Sequence, residues 1–307
     1  MDNKNHPLVS VFVVTYNSGD YICETLDSIK AQTYDNIELI VSDDHSSDAT
    51  VSLANEWIEK NRKRFVRTEV ITIDHNTGVS ANYNRAVVAC RGEWVKNVDG
   101  DDLLCDNCIA DNIDFVINNP SVSLVFSNVF DFRDGNPRVI LGEHVSSNDK
   151  KLFELNADNQ FKALLKANFI PSQSCFVKLD ILHKYPYNES YRGLEDEPMW
   201  ITLTRNGIKA YFFDKCTSYY RKGESTISSR SRYYSPIYKE SVFAFFWNEK
   251  VKYIKENNHS DAYNANRRYL LLLEFCELFL NNRKTKIHNL IYRMVYNYIY
   301  KRVFFKL

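Results

Sequence analysis

Three carboxylates fall within four residues at Asp99-Gly100-Asp101-Asp102. Charges this close repel one another strongly unless a cation neutralises them. Oxygen ligands suit a hard ion such as Mg²⁺ or Mn²⁺, which typically binds one or two carboxylates together with phosphate oxygens of a substrate. The alternative is a helix N-cap followed by acidic first-turn residues, which accounts for Asp101 or Asp102 but not for all three. The segment therefore predicts a metal site whose natural partner is a diphosphate.

A second pair of carboxylates, Asp43 and Asp44, follows an apolar run at residues 37–41. One of them could accept a hydrogen bond from a nucleobase N–H while the other orders the loop. Equally, the pair could form a turn cap without any ligand, because Asp side chains bond readily to nearby backbone amides. Tyr16 and Asn17 also follow an apolar run, where Tyr16 could stack on a base and Asn17 could hold the loop. This set fits a nucleoside pocket but does not require one.

A third acidic group, Glu195-Asp196-Glu197, lies directly before Pro198. Acids next to a proline are typical of the first turn of a helix, and helically spaced apolar residues follow. The same position would also fix a carboxylate firmly enough to take a proton from an acceptor hydroxyl. Spacing alone favours the helix start and the general base equally.

The elements that position these residues alternate between strand and helix in the first half of the chain. Strands are predicted at residues 9–15, 37–41, 66–73 and 94–98, and helices at about 21–31, 50–60, 79–89 and up to 118. Repeated β-α units predict a largely parallel sheet, and ligands bind such sheets beyond the carboxyl ends of the strands. Those ends carry Thr15-Tyr16-Asn17, Asp43-Asp44, Asn76 to Gly78 and the Asp99 segment. They predict one shared crevice.

The second half of the chain is less regular at first and then helical. Further strands are predicted at residues 123–132, 174–177, 209–214 and 218–221, with a helix at 159–167. Helical spacing continues at about 237–256, 262–280 and 285–303. We therefore expect an α/β domain over residues 1–230 and a helical region over residues 231–307.

Composition excludes several broad classes of protein. The formal net charge is zero, with 39 basic and 39 acidic residues, which argues against a general nucleic-acid binder. The seven cysteines are scattered and odd in number, which favours reduced thiols in a cytosolic protein. The polar N-terminus lacks the apolar stretch of a signal peptide, and no run approaches the roughly 20 apolar residues of a spanning helix. We expect a cytoplasmic protein without a membrane-spanning segment.

Residues 281–307 contain seven Lys or Arg residues and no acid. If the segment is helical, Ile287, Ile291, Met294 and Tyr298 form one apolar stripe. A basic, aromatic amphipathic helix can lie on an anionic membrane surface, which would make the protein peripheral on the inner face of the cell membrane. The alternative is a helix that packs on the preceding domain with its lysines in solvent.

Several blocks of the chain resemble the family 2 glycosyltransferases, in the family's order and spacing. The opening blocks are residues 9–17 (VSVFVVTYN), 25–29 (TLDSI), 32–34 (QTY) and 37–44 (IELIVSDD). The blocks that follow are residues 76–80 (NTGVS), the DxDD segment at 99–102 and the ED motif within 193–200 (GLEDEPMW). The resemblance covers about residues 8–225. It implies the GT-A fold, a Rossmann-like α/β domain with a mostly parallel sheet, a donor half at about 1–120 and an acceptor half at about 121–230.

The resemblance also implies a role for each matching residue. The implied donor site consists of Thr15, Tyr16, Asn17, Asp43, Asp44, Asn76, Gly78 and Asp99. Asp101 is implied to be the main ligand of Mn²⁺ or Mg²⁺, with Asp99 and Asp102 beside it. Asp196 is implied to be the general base, with Glu195 as its neighbour or alternative.

The implied reaction is an inverting transfer of a hexose or N-acetylhexosamine from a UDP-sugar, with dTDP as the next candidate nucleotide, to a saccharide acceptor. The expected acceptor is a lipid-diphosphate-linked glycan of O-antigen or capsule biosynthesis. The Gln-x-x-Arg-Trp motif of processive synthases does not follow the ED motif, which favours a single addition. Two residues depart from the family pattern: His45 stands where Gly is frequent, and Tyr83 where many members have Arg.

Two other functions remain open on the sequence. An aspartate-nucleophile phosphatase also uses a DxD motif and Mg²⁺, but usually after its first strand, whereas this motif follows the fourth predicted strand. A nucleotide-sugar binding or scaffolding protein could use the same fold without turnover, although Asp101 and Asp196 argue against it.

Overall fold

The computed structural model describes residues 6–135, 138–222 and 232–304, with side chains described as far as residue 298. A nine-stranded sheet forms its centre. The strands are β1 (Val9–Thr15), β2 (Ile37–Asp43), β3 (Arg67–Ile71), β4 (Trp94–Asp99), β5 (Leu103–Leu104), β6 (Leu124–Arg133), β7 (Val139–Glu143), β8 (Phe176–Lys178) and β9 (Tyr211–Arg221). The helices are α1 (Ile22–Lys30), α2 (Thr50–Asn61), α3 (Val79–Ala89), α4 (Cys108–Asn118), α5 (Ser147–Leu152), α6 (Ala157–Lys166), α7 (Leu179–Lys184), α8 (Asp196–Arg205), α9 (Pro236–Phe245), α10 (Val251–Glu256), α11 (Ser260–Leu280) and α12 (Lys286–Phe304).

The sheet order is β3-β2-β1-β4-β8-β6-β9-β5, and β7 pairs with β6. Strands β1 to β4 are parallel, and β6 is parallel to β9, whereas β5, β7 and β8 pair antiparallel with their neighbours. Thr15 lies opposite Asp43, and Val14 lies opposite Asp99. The carboxyl ends of β1, β2 and β4 therefore meet at one edge, and the predicted α/β architecture is confirmed.

Strand β1 (VSVFVVT) is buried along its whole length, because both of its faces are covered. Val11 and Val13 pack with helices α1, α2 and α4 in one core cluster. Phe12 and Val14 belong to a second cluster, on the other side of the sheet, with α3 and the acceptor half. Burial on both faces produces an uninterrupted apolar run in place of an alternating one.

The second core cluster continues into the C-terminal helices, because Trp200 of α8 and Leu273 of α11 both belong to it. Helix α9 passes through a π-helical turn at Phe246–Lys250 into α10, so the helix predicted over 237–256 is confirmed. The domain boundary predicted at residue 230 lies outside the described residues.

The second half of the α/β domain differs from prediction at its last strands. The strands predicted at 209–214 and 218–221 are one strand, β9, which follows β6 through register shifts around Asn128. A bulge absorbs extra residues without ending the strand, so the polar interruption in the sequence was misleading. The short elements β5, β7, α5 and α7 were not predicted. Within the described ranges no helix is long and apolar enough to cross a membrane.

Candidate active site

The Asp99 segment forms a tight turn at the end of β4. The Gly100 N–H donates to the carbonyl of Val14 at 2.9 Å, and the Thr25 hydroxyl donates to the Gly100 carbonyl at 3.1 Å. A Cβ on Gly100 would lie 2.8 Å from Thr15 Oγ1, so a larger residue would displace β1. The turn is therefore fixed against the end of β1, where the predicted nucleoside residues begin.

The carboxylates of this turn face different partners. Asp99 Oδ1 accepts a hydrogen bond from the Tyr83 hydroxyl at 2.8 Å, and Asp102 Oδ1 accepts one from the backbone N–H of Arg221 at 2.9 Å. Asp101 is partly exposed. In the described part of the chain, no three His, Cys, Asp or Glu side chains converge as a metal site. The turn thus offers one or two carboxylates to an ion and leaves the other coordination positions to phosphate oxygens or water.

The electrostatics of the turn suit a divalent cation. Burial raises the pKa of Asp99, and burial together with the Asp99 charge raises the pKa of Asp101 to about 6. Burial, with the charges of Asp101 and Asp99, also raises the pKa of Asp102 well above its usual range. Asp102 Oδ2 and Thr15 Oγ1 are buried without a hydrogen-bond partner among the described residues. Buried oxygens without a partner are costly, and a cation would satisfy them. The residues present therefore fit a hard ion such as Mg²⁺ or Mn²⁺.

The Asp44 carboxylate has a structural role, because its hydrogen bonds hold the loop before α3. Its carboxylate accepts hydrogen bonds from the backbone N–H groups of Thr77 (3.0 Å) and Gly78 (2.8 Å) and from the guanidinium of Arg85 (3.0 Å). Gly78 has a φ of 96°, and a Cβ there would lie 2.6 Å from the carbonyl oxygen of Arg192. Asp44, which is buried, therefore orders the loop before α3, in keeping with the supporting role that was predicted for it.

Hydrogen bonds join the four predicted strand ends. The Asp44 N–H donates to the carbonyl of Thr15 at 3.0 Å, and the Asn76 side chain donates to the carbonyl of Asp44 at 3.2 Å. The Asp99 turn joins the same edge through Gly100 and β1. The fold therefore brings the predicted donor residues to one edge of the sheet.

The loop after β2 lies at the same edge of the sheet and is held by side chains of β2 and of the β1 end. Asp43 is buried and accepts a hydrogen bond from the N–H of Ser46 at 2.8 Å. The Asn17 side chain accepts one from the N–H of Ser47 at 2.9 Å, so Asn17 holds this loop as the sequence predicted. The Tyr16 ring is 40% exposed, which leaves it accessible to a ligand.

The ED motif begins helix α8 at Asp196. Asp196 Oδ1 accepts a hydrogen bond from the N–H of Glu197 (2.7 Å), and Oδ2 accepts one from the side-chain amide of Asn168 (2.9 Å). Burial and the Glu197 charge raise the pKa of Asp196 to about 6. Burial, with the neighbouring carboxylates adding to it, raises the pKa of Glu195 well above its usual range. Glu197 itself forms a largely buried ion pair with Lys250 (2.6 Å), so we assign Glu197 a structural role.

Asp196 lies in the wall of a cavity of about 320 Å³. His144, Asn168, Tyr220 and Lys222 form other parts of the wall. Tyr220 directly precedes Arg221, whose N–H donates to Asp102 Oδ1 at 2.9 Å, so this wall lies close to the Asp99 to Asp102 turn. The cavity therefore has the candidate base in its wall and the candidate metal turn near Tyr220, and its volume is in the range of small-molecule sites.

The family model of Glycosyl transferase family 2 matches residues 10–185, more than half of the chain. The chain belongs to glycosyltransferase family 2. It is therefore an enzyme of the glycosyltransferase class. The matched residues include the strand ends and the Asp99 turn, whereas the ED motif at Glu195-Asp196 lies just beyond them.

Bacterial glycosyltransferases are among the relatives of this glycosyltransferase. It is 29% identical to the UDP-Glc:alpha-D-GlcNAc-diphosphoundecaprenol beta-1,3-glucosyltransferase WfaP of Escherichia coli, over 72% of this chain and 80% of WfaP. It is 24% identical to the putative teichuronic acid biosynthesis glycosyltransferase TuaG of Bacillus subtilis, over 73% of this chain and 82% of TuaG.

Solved glycosyltransferase structures share the fold. The structure of S. aureus TarS 1-349 in complex with UDP-GlcNAc superposes with a TM-score of 0.60 at 21% identity, covering 87% of this chain and 72% of TarS. The mannosyltransferase PcManGT from Pyrobaculum calidifontis, in complex with GDP-Man and Mn²⁺, superposes with a TM-score of 0.56 at 18% identity, covering 96% and 70%. The predicted GT-A fold is confirmed.

Several residues of this glycosyltransferase site had no signal in the sequence. Arg221, at the end of β9, donates from Nε to the carbonyl of Asp101 at 2.7 Å, yet it belongs to no motif. Asn168 follows α6 and likewise lies outside the matching blocks. Tyr83 did have a signal, because it departs from the family pattern, and the structure places its hydroxyl on Asp99.

Proposed function

We propose that this glycosyltransferase moves a hexose or N-acetylhexosamine from a UDP-sugar to a saccharide acceptor, with inversion at the anomeric carbon. One observation carries the proposal: the Asp196 carboxylate lines a cavity of about 320 Å³, and Tyr220 in the same wall directly precedes Arg221, whose N–H donates to Asp102 of the Asp99 to Asp102 turn. A base on one side and a diphosphate site on the other are what a direct displacement requires.

The donor would lie across the carboxyl ends of β1, β2 and β4, with its nucleoside at Thr15, Tyr16 and Asp43. The exposed Tyr16 ring offers a stacking face, and the Asp43 carboxylate retains lone pairs for a base N–H beyond its bond to Ser46. WfaP is named for UDP-Glc, and TarS was solved with UDP-GlcNAc. Both support UDP as the nucleotide, with dTDP as the alternative.

The divalent ion would be held by Asp101, with Asp99 and Asp102 beside it. The oxygen-only ligands and the Mn²⁺ of the PcManGT complex support Mn²⁺ or Mg²⁺. When bound, such an ion stabilises the negative charge of the departing diphosphate. The Tyr83 hydroxyl fixes the direction of Asp99 before any donor binds.

Asp196 would take the proton from the acceptor hydroxyl. As the hydroxyl oxygen bonds to the anomeric carbon, the bond from that carbon to the diphosphate breaks and its electron pair leaves with the diphosphate. Attack from the face opposite the diphosphate inverts the configuration. Burial raises the pKa of Glu195 well above its usual range, which disfavours the ionised form that a general base requires.

The acceptor would be a lipid-diphosphate-linked glycan, as the name of WfaP gives for that enzyme. The helical hairpin of α11 and α12 supports a membrane surface as the place of reaction. Five of its large apolar side chains are at least 59% exposed, namely Leu278, Phe279, Ile287, Leu290 and Met294. Seven basic residues and no acid lie in residues 281–307, which complements anionic lipid headgroups.

The exposed stripe of α12 differs in one residue from the predicted stripe. Ile291 packs partly buried against the core, and Leu290 lies between Ile287 and Met294 on the outer face. Sedimentation with vesicles of phosphatidylglycerol and phosphatidylcholine tests this surface. Binding to anionic vesicles that is lost in Leu290→Asp would support it. Absence of binding, or equal binding to pure phosphatidylcholine, would contradict it.

Nucleotide release from a panel of UDP- and dTDP-sugars, with Mn²⁺ or with EDTA, tests the reaction. Metal-dependent binding or slow hydrolysis of one donor would support the proposal and identify the sugar. Binding without turnover, even with lipid-linked acceptors, would indicate a nucleotide-sugar binding protein. Release of phosphate from simple monoesters would indicate a phosphatase.

A further inference from the structure

We propose that Asn168 is a positioning residue for the general base, because its side-chain amide orients the Asp196 carboxylate towards the acceptor hydroxyl. This inference rests on the proposed function, in which Asp196 takes the proton. Asn168 Nδ2 donates to Asp196 Oδ2 at 2.9 Å. Asn168 lies between α6 and the short 3₁₀ turn at Ser172–Ser174, in the wall of the same cavity.

The orientation of the Asn168 amide is fixed by its own turn. Its Oδ1 accepts a hydrogen bond from the N–H of Ile170 at 3.0 Å. Since a backbone N–H can only donate, the amide oxygen must face Ile170 and the NH₂ group must face Asp196. The Ile170 side chain is buried in the core, which anchors the turn. Asn168 therefore presents a donor to the carboxylate.

The Asp196 carboxylate is held by two separate chain segments. Oδ1 accepts from the Glu197 N–H at the start of α8, and Oδ2 accepts from Asn168. One hydrogen bond on each oxygen defines the plane of the carboxylate, while each oxygen retains a lone pair for a substrate hydroxyl. A donor to the ionised form also stabilises that form relative to the protonated acid. Asn168 thus affects both the direction and the charge of the base.

Other titratable groups also surround Asp196. They are Glu195 and Glu197 along the chain, Tyr187, Tyr238 and Tyr269 from packed elements, and His144, Asp149 and Lys222 in the cavity wall. Replacing Asn168 with alanine leaves all of them in place. A change in the titration of Asp196 would therefore report the loss of one amide.

Asn188 provides a matched control on another part of the surface. Its Oδ1 accepts from the N–H of Ser190 at 3.0 Å, and its Nδ2 donates to Glu249 Oε1 at 3.1 Å. Like Asn168, it is exposed. Asn188→Ala removes the same kind of turn and the same kind of amide–carboxylate bond without touching Asp196.

The pH dependence of kcat/KM in the wild type, Asn168→Ala, Asn168→Asp and Asn188→Ala tests the inference. In Asn168→Ala we expect the acid limb to move to higher pH by about half a unit to one unit, with donor binding unchanged by calorimetry. Asn168→Asp places a second carboxylate beside Asp196 and should move the limb further. Asn188→Ala should follow the wild type. Superimposable profiles for Asn168→Ala and the wild type would overturn the inference.

A titration of the Asp196 carboxyl carbon by NMR, assigned with Asp196→Asn, gives a readout that needs no acceptor. We expect its midpoint to rise in Asn168→Ala and to stay unchanged in Asn188→Ala. An unchanged midpoint in Asn168→Ala would contradict the positioning role of Asn168 but not the proposed function. A wild-type enzyme that transfers no sugar to any acceptor would instead remove the proposed function.

Discussion

The backbone N–H of Arg221 donates to Asp102 Oδ1 at 2.9 Å, although 119 residues separate the two in the chain. Arg221 also donates from Nε to the carbonyl of Asp101 (2.7 Å) and from its guanidinium to Glu24 (2.6 Å). Its side chain is only 3% exposed. The end of β9 therefore holds the candidate metal turn and joins it to helix α1.

We expect Arg221→Lys to weaken Mn²⁺-dependent UDP binding by about tenfold. Lysine keeps the positive charge but lacks the planar guanidinium that donates to the Asp101 carbonyl and to Glu24 at the same time. The turn would therefore lose a hydrogen bond that holds it. Calorimetric titration of UDP with and without Mn²⁺ measures the effect. Arg138→Lys is the matched control, because Arg138 also binds Glu24 but does not contact the turn. Equal losses in the two variants would show that Glu24, and not the turn, is responsible.

Asp101→Ala should abolish the metal dependence of donor binding. Asp101 is partly exposed and its carboxylate is available to an ion, whereas Asp99, also partly exposed, and the buried Asp102 are already hydrogen-bonded to Tyr83 and Arg221. Calorimetry with a UDP-sugar and Mn²⁺ tests the expectation. Asp106→Ala, an exposed acid just beyond the turn, should bind like the wild type. Normal Mn²⁺-dependent affinity for the UDP-sugar in Asp101→Ala would contradict the assignment of Asp101 as a metal ligand.

Asp196→Asn should leave donor affinity nearly intact and reduce kcat by about 10²- to 10⁴-fold, because only the proton acceptor is lost. Asn keeps the size of the side chain, so the start of α8 should persist. Asp180→Asn provides the control, since Asp180 is an exposed acid in the first turn of another helix, α7. Transfer within a few-fold of the wild type in Asp196→Asn would make Glu195 the better candidate for the base.

The donor half could be predicted from the sequence because its signals are local. The predicted bounds of β1 and α3 agree with the structure, Val9–Thr15 and Val79–Ala89. Apolar runs, helical spacing and polar strand ends lie within short windows, and parallel pairing then brings those ends to one edge. The roles of the individual donor residues are still predictions, although the fold brings these residues together.

The hydrogen bonds that hold the site residues in place could not be predicted, because they join segments that are distant in the sequence. Asn168 reaches Asp196 across 28 residues, and Arg221 reaches Asp102 across 119. Neither Asn168 nor Arg221 lies in a periodic or conspicuous pattern. Strand β9 was divided in two for a similar reason, since its bulged pairing with β6 is decided by the partner strand.

Asp44→Asn should lower the free energy of unfolding by about 3 kcal/mol. Both carboxylate oxygens accept hydrogen bonds from N–H donors, so the NH₂ group of Asn would face Thr77 or Gly78, and Arg85 would lose its ion pair. Urea denaturation measures the change. Asp48→Asn also disturbs bonds to backbone N–H groups, but at an exposed position, and should cost about 1 kcal/mol. Equal losses would contradict the structural role of Asp44.

The fall of kcat/KM for sugar transfer at low pH, the acid limb of the pH profile, should identify the general base. Burial and the Glu197 charge raise the pKa of Asp196 to about 6, and a base must be ionised to accept a proton. We therefore expect kcat/KM to be constant above about pH 7 and to fall about tenfold per unit below pH 6. Burial also raises the pKa of Glu195 well above its usual range, so a Glu195 base would give an acid limb that remains in Asp196→Asn. Initial rates between pH 4.5 and 9 at roughly constant ionic strength distinguish the two, with donor binding measured at each pH as the control. A limb near pH 6 that disappears in Asp196→Asn assigns the base to Asp196, whereas a limb that persists in that variant contradicts the assignment.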